Sequence, residues 1–202
     1  MTRELDVEEL RRGLIAKGVR LVAIDGCGGS GKSVLATQLV DGWPDAVVIE
    51  VDDFYRPTSE RQVRPATHGA NVDLGRLVAQ VLGPASRGRG GRYQRYDWDA
   101  DGLSEWHNVD IGSVLIVEGV YSSSEALRHF YDFVIWVDCP YEVRLARGVQ
   151  RDGEAMRGVW VEQWMPAEAR YVDDERPQDH ADLVVDGGVD ELWAVERGRS
   201  GA

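Results

Sequence analysis

The run Gly26-Cys27-Gly28-Gly29-Ser30-Gly31-Lys32-Ser33 constrains this chain more than any other stretch. It fits the pattern G-x-x-x-x-G-K-[ST], and its flanks matter as much as its letters. Before it, residues 20–25 (RLVAID) are an apolar run of the kind that forms a buried strand. After it, residues 34–43 (VLATQLVDGW) carry apolar positions at helical spacing. A glycine-rich turn between strand and helix aims several backbone N–H groups at one point, where the helix adds its own positive end. Glycine permits the positive φ angles and close approach that this needs. The natural occupant is a phosphate chain. Only Lys17 and Lys32 are lysines among 23 basic residues, so a lysine in this turn stands out from an arginine-rich background.

The residues expected on a nucleoside triphosphate are therefore Gly26, Gly28, Gly29, Ser30, Gly31, Lys32, Ser33 and Val34. Lys32 reaches the β- and γ-phosphates. The Ser33 hydroxyl suits Mg²⁺, a hard cation that prefers oxygen. ATP and Mg²⁺ are the expected ligands.

The rest of the chain repeats the strand–helix alternation. Further strands are expected at residues 46–54, 113–120, 133–140 and 181–187. Helices are expected at 4–17, at 73–84 (stopped by Gly83 and Pro84), at 123–130, at 141–151 with Pro140 at its opening, and across 152–172. Residues 56–72 read as loop, 85–102 as loop or β-ribbon, and the tail from Arg197 as disordered. The strands are continuously apolar rather than alternating, the pattern of a parallel sheet covered on both faces. The expected fold is three-layer α/β/α of the P-loop NTPase kind, around a mainly five-stranded parallel sheet.

Composition narrows the function classes. No apolar run approaches the ~20 residues of a membrane span, and the charged start of the chain has no signal-peptide core, so a cytoplasmic protein without a membrane partner is expected. The net charge of −12 argues against a broad nucleic-acid surface. Arg87, Arg89, Arg92 and Arg95 form one basic loop, read as solvated or as an anion clamp. Cys27 and Cys139 make neither a disulfide framework nor a zinc site, and His68, His107, His129 and His180 show no metal spacing.

Three acids end apolar strands. Asp52, with Asp53 beside it, lies past the second strand, where the carboxyl ends of a parallel sheet line a ligand crevice. A carboxylate there can take a proton from an attacking hydroxyl or hold Mg²⁺ through water, unless the pair are plain turn acids. Glu118 closes VLIVE, a place for a magnesium ligand or a helix cap. Asp138, before Cys139 and Pro140, reads as a turn or cap acid.

With GCGGSGKS, VDDFY, LIVEG and RGVQRDG in this order, the chain resembles the uridine kinase group of P-loop kinases, which also holds phosphoribulokinase and pantothenate kinase relatives. The resemblance runs in patches from about Leu21 to Gly187. It implies one kinase domain over residues 1–202, with a small helical lid at about 151–172 and an acceptor-side insertion at about 56–108. It implies Asp52 as catalytic base, Ser33 and Glu118 as magnesium ligands with Asp52 beside them, and Tyr55 near the acceptor. Tyr96 matches the tyrosine of the group's P-V-Y-D segment, and Asp73 falls near its ribose-contacting acid. Arg147, Arg151 and Arg157 fall in or beside the lid, where arginines clamp phosphates during transfer, Arg151 among the catalytic groups and Arg157 on the acceptor side.

The acceptor side departs from the group. Trp98, Asp99, Ala100 and Asp101 stand where nucleoside kinases lead to a base-reading histidine, and Thr67-His68-Gly69-Ala70 replaces a D-H-P motif. Trp98, Trp106, Trp160 and Trp164 either stack on a planar ligand or pack the lid onto the body. The expected reaction is phosphoryl transfer from ATP to a hydroxyl of a nucleoside or related metabolite. A vitamin precursor, sugar or nucleotide monophosphate as acceptor, and a catalytically silent ATP-binding regulator, stay open, as does a homo-oligomer. A GTPase switch does not, because neither lysine lies in an N-K-x-D segment.

Overall fold

The computed structural model describes residues 2–61, 68–188 and 193–195. Five parallel strands form its centre: β2 (Leu21–Asp25), β3 (Ala46–Glu50), β6 (Val114–Glu118), β7 (Phe133–Asp138) and β8 (Leu183–Asp186). Their order across the sheet is β8-β7-β2-β6-β3, with β9 (Trp193–Val195) and β1 (Thr2–Glu4) added antiparallel at the β8 edge. The five expected strands are thus all present, and the sheet is wider than expected by two short strands.

β2 and β6 are buried along their whole length and β7 from Val134 to Val137, which explains their unbroken apolar runs. Within β6, Leu115 and Val117 join a cluster with Phe54, Leu77, Trp136 and Tyr171, while Val114 and Ile116 join another with Leu14, Leu35, Leu39 and Ile135. The second cluster is roofed by α1 (Val7–Ala16), capped by Asp6, and α2 (Lys32–Val40).

Three expectations change in detail, and a fourth, loop or β-ribbon over 85–102, resolves as ribbon. The run 46–54 leaves the sheet at Glu50, and Val51–Phe54 turns as a 3₁₀ helix, so Asp52 and Asp53 sit on a turn. Gly83 and Pro84 do not stop their helix: α3 (Leu74–Leu77) widens into a π turn at Val78–Leu82 and continues as α4 (Gly83–Ser86). In the π turn the Gly83 N–H bonds to the Val78 carbonyl, a wider spacing that accommodates a proline ring better than an α turn. Residues 85–102 contain a β-ribbon, β4 (Gly91–Asp97) pairing with β5 (Gly102–Val109) across a bulge at Gln94–Tyr96. Residues 123–130 form turns and a short 3₁₀ helix (Arg128–Phe130) rather than an α-helix, with the Ser123 N–H bonded to Asp25.

The region 152–172 is helical: α5 (Tyr141–Asp152), a 3₁₀ turn (Glu154–Met156), α6 (Arg157–Val159), a π turn (Trp160–Trp164) and α7 (Met165–Glu175). The tail from Arg197 lies outside the described residues, as does Thr67. Among the described residues no helix is long and apolar enough to cross a membrane.

Candidate active site

The turn from β2 to α2 has the backbone its glycines predict. Gly26 has φ 149°, and a Cβ there would lie 2.4 Å from the Val137 carbonyl oxygen. Gly31 caps α2 in the left-handed region at φ 103°. The Ser30 N–H bonds to the Cys27 carbonyl at 3.2 Å, and the buried Lys32 Nζ donates to the same oxygen at 3.0 Å. Val34 follows on the exposed side of the first helical turn.

Parallel register carries the acids to the same edge. Glu118 ends β6 opposite Glu50 of β3 and beside Ile24 of β2. The Ser33 hydroxyl donates to Glu118 Oε1 at 2.9 Å, so the two expected magnesium ligands already touch. Burial pushes the Glu118 carboxyl above its ordinary range, Lys32 and the Ser33 hydrogen bond oppose this, and Asp52 adds to it. Asp52 keeps a solvent-facing side, yet the protein packed around it raises its carboxyl too, against the pull of Lys32 and Arg151. Asp53 turns the other way and accepts from the Tyr93 hydroxyl at 3.0 Å.

These oxygens suit Mg²⁺. Among the described residues no group of three or more His, Cys, Asp or Glu could hold a metal alone. Mg²⁺ does not require one: it takes one or two carboxylates, and phosphates and water complete its shell. A hydroxyl in contact with a buried carboxylate, beside a phosphate nest, is such a donor set.

Behind the nest lie groups that sequence reading missed. Asp25, fully buried, accepts from Gly26 N–H (2.7 Å), Tyr121 N–H (3.2 Å), Ser123 N–H (2.9 Å), Ser123 Oγ (2.8 Å) and Tyr171 Oη (2.6 Å). Glu168 of α7 accepts from the Gly28 N–H at 3.0 Å and from Arg144 Nη1 at 2.9 Å. Burial raises both carboxyls against these bonds. Arg147 donates to the Gly187 carbonyl at 2.6 Å and, more weakly, to that of Gly29 at 3.5 Å, so it braces the loop from outside. An acid ending an apolar strand was the available signal for Asp25; nothing local marks Glu168.

On the acceptor side three expected residues come together. The Tyr55 and Trp98 ring centroids are 4.8 Å apart, those of Tyr96 and Trp98 5.1 Å. The fourth, Asp73, caps α3 by accepting the Arg76 N–H at 3.0 Å, and its own N–H bonds to the Phe54 carbonyl. Arg151 pairs with Asp152 at 2.7 Å and lies within electrostatic reach of Asp52 and Glu118. Arg157 is not brought to this group: it is exposed and pairs with Glu154. Trp160 packs rather than stacks on a ligand, being buried, with Nε1 donating to Asp152 at 3.0 Å and its ring edge-on to Trp164 at 5.1 Å. Trp98 and Trp106 remain exposed.

An N–H nest at the carboxyl edge of a parallel sheet, with its lysine and a hydroxyl–carboxylate pair, defines a P-loop nucleotide-binding protein. Residues 21–190 match the Phosphoribulokinase / Uridine kinase family, and the chain belongs to that family. A uridine kinase of Clostridium novyi (strain NT) is 26% identical over 192 residues, 87% of this chain and 91% of that protein. Uridine-cytidine kinase-like 1 of Mus musculus is 25% identical over 202 residues, 91% of this chain but 36% of that longer protein. The solved structure of a possible uridine kinase from Bacillus stearothermophilus shares the fold, with a TM-score of 0.69 at 23% identity over 88% of this chain and 96% of that one. Membership implies an ATP-dependent phosphotransferase.

Proposed function

We propose that this protein transfers the γ-phosphoryl group of ATP to a hydroxyl of a small metabolite, a nucleoside or a relative of one. The observation that carries the reading is the Ser33–Glu118 contact beside Lys32, with Asp52 facing the same charges. The N–H groups of residues 26–34 not taken up by Asp25, Glu168 and the Cys27 carbonyl hold the phosphates. Ser33 and Glu118, with Asp52 nearby, would hold Mg²⁺, which would offset the negative charge of the phosphates. Lys32 and Arg151 offset charge on the group in transit.

Asp52 accepts the proton of the acceptor hydroxyl as its oxygen bonds to the γ-phosphorus and the bond to the β-phosphate oxygen breaks. The raised carboxyl of Asp52 brings it closer to the pH at which a base both exists ionised and takes a proton readily. Residues 151–172 act as the lid, with movement confined to the part before Glu168 and Tyr171, because those two side chains bond to the phosphate loop and to Asp25.

Asp52→Asn is expected to keep the affinity for Mg·ATP and to lose turnover by about 10²–10⁴-fold. Calorimetry with a non-hydrolysable ATP analogue and an ADP-release assay read the two separately. Unchanged turnover would remove Asp52 from the chemistry.

A further inference from the structure

Arg61 sits inside a cage of aromatic rings. Its guanidinium carbon lies 4.9 Å from the ring centroid of Tyr55, 4.9 Å from that of Tyr96 and 4.7 Å from that of Trp98. Among the described residues its side chain donates one hydrogen bond, from Nε to the Arg56 carbonyl at 2.5 Å. Nη2 is buried and, among the described residues, has no hydrogen-bond partner.

Asp101 feels the Arg61 charge, but its hydrogen bonds come from other donors. Asp101 takes the Tyr96 hydroxyl at 2.6 Å, the Thr58 N–H at 2.7 Å and the Thr58 hydroxyl at 2.9 Å. Asp97 pairs with Arg95 at 2.8 Å. A buried donor left without a partner is rare in a folded protein and points to a group that binds there. Ring faces attract a cation and hold its plane. What they leave for recognition is the planar N–H fork, which fits an oxyanion.

The cage adjoins the proposed base. Tyr55 forms one wall of it, and both Asp52 and Arg61 act electrostatically on the Tyr55 phenol. Arg61 is half-buried as a residue while Nη2 itself is closed off, so an oxyanion that reads the fork must part the rings around it.

We infer that Arg61 reads an oxyanion on the acceptor, a carboxylate or a phosphate ester, while the acceptor's hydroxyl meets Asp52. The inference rests on the phosphoryl-transfer reading but departs from its nucleoside acceptor, pointing instead to hydroxylated acids or phosphorylated sugars and their kin. A neutral planar base, by contrast, would compete with Arg61 for the faces of Tyr55, Tyr96 and Trp98.

The test uses matched acceptors, glycerol against glycerate and ribose against ribose 5-phosphate, in an ADP-release assay with Mg·ATP. In the wild type, kcat/KM is expected to favour the anionic member by about 10- to 100-fold. Arg61→Gln is expected to erase that preference without changing the affinity for Mg·ATP, while the protein keeps a cooperative melting transition. Arg61→Lys, which keeps charge without the fork, is expected to fall between.

A second measurement needs no turnover. Acetate and inorganic phosphate are titrated in a calorimeter into protein saturated with Mg²⁺ and a non-hydrolysable ATP analogue. Saturable binding of either that disappears in Arg61→Gln supports the inference, and which of the two binds separates carboxylate from phosphate ester. Binding of neither, binding that survives the substitution, or equal use of neutral and anionic acceptors overturns it. An Asp52-dependent phosphorylation of a neutral acceptor would reject this inference and leave the kinase reading standing. Failure to bind Mg·ATP would reject the kinase reading itself.

Discussion

Glu168→Ala probes how the phosphate loop is held. The carboxylate reaches the loop from α7, with the Gly28 N–H at 3.0 Å on one oxygen and Arg144 Nη1 at 2.9 Å on the other. Glu168 is 5% exposed and Arg144 9%. Alanine removes the acceptor of a loop amide and leaves a guanidinium buried without its counter-charge. Breaking a buried pair from one side costs about 3–5 kcal/mol. In a domain of this length that lowers the melting temperature by roughly 10 °C. Glu168→Gln keeps an oxygen for the Gly28 N–H and is expected to cost less than half as much.

The pH dependence has a definite sign. Burial raises the Glu168 carboxyl against the Gly28, Lys32 and Arg144 contributions, so the native state binds this proton more tightly than the unfolded chain. That contribution is complete below the ordinary glutamate range and is lost as pH rises through the elevated value. The wild type's advantage over Glu168→Gln is therefore largest in acid and narrows as pH rises. Urea and thermal denaturation at several pH values measure this, and calorimetry with the ATP analogue reports the loop. An alanine variant within about 1 kcal/mol of the wild type would refute the fastening role. A glutamine variant as damaged as alanine would assign the effect to charge alone.

Three further outcomes are expected. Tyr171→Phe removes one of the five donors on the buried Asp25 and should cost about 1.5–3 kcal/mol in urea denaturation; an unchanged midpoint would dismiss that hydrogen bond. Ser33→Ala should raise the Mg²⁺ concentration needed for ATP binding by about tenfold while sparing the weak metal-free affinity, as calorimetry in a magnesium series would show. Arg151→Met should reduce turnover by at least about tenfold, whereas Arg157→Met should leave it within about twofold; the reverse order in steady-state assays would mean that the observed Arg157–Glu154 pair is not the working arrangement.

The parts of this molecule legible in its sequence are those written by neighbours along the chain. The five parallel strands announce themselves because burial on both faces requires every residue of β2 and β6 to be apolar or strand-terminal. The phosphate loop is legible because its eight residues make the whole device. The π turn at Val78–Leu82 was hidden because Gly83-Pro84 carries the ordinary letters of a helix stop, and only the widened hydrogen bond shows that the helix passes through. Glu168 was hidden for a different reason: it acts on a glycine 140 residues away, and neither partner has a local pattern.

That division bears on why an acidic chain can hold a triphosphate. Asp25 and Glu168 are carboxylates placed behind the loop, where they grip its outward N–H groups and leave inward ones for the anion. Each has donors of its own, the Tyr171 hydroxyl and the Arg144 guanidinium, so the charge facing the ligand is set by the near groups Lys32, Arg151, Asp52 and Glu118 rather than by the chain's total. Net charge describes long-range approach; affinity at this edge is decided within a few ångströms. On that argument, neutralising surface acids remote from residues 26–33 should quicken ATP association at low salt and leave its dissociation rate alone, whereas changes at Glu168 should act on dissociation. Stopped-flow binding of a fluorescent ATP analogue at two salt concentrations separates them, and an equal effect of both on dissociation would show that the loop senses the field of the whole protein.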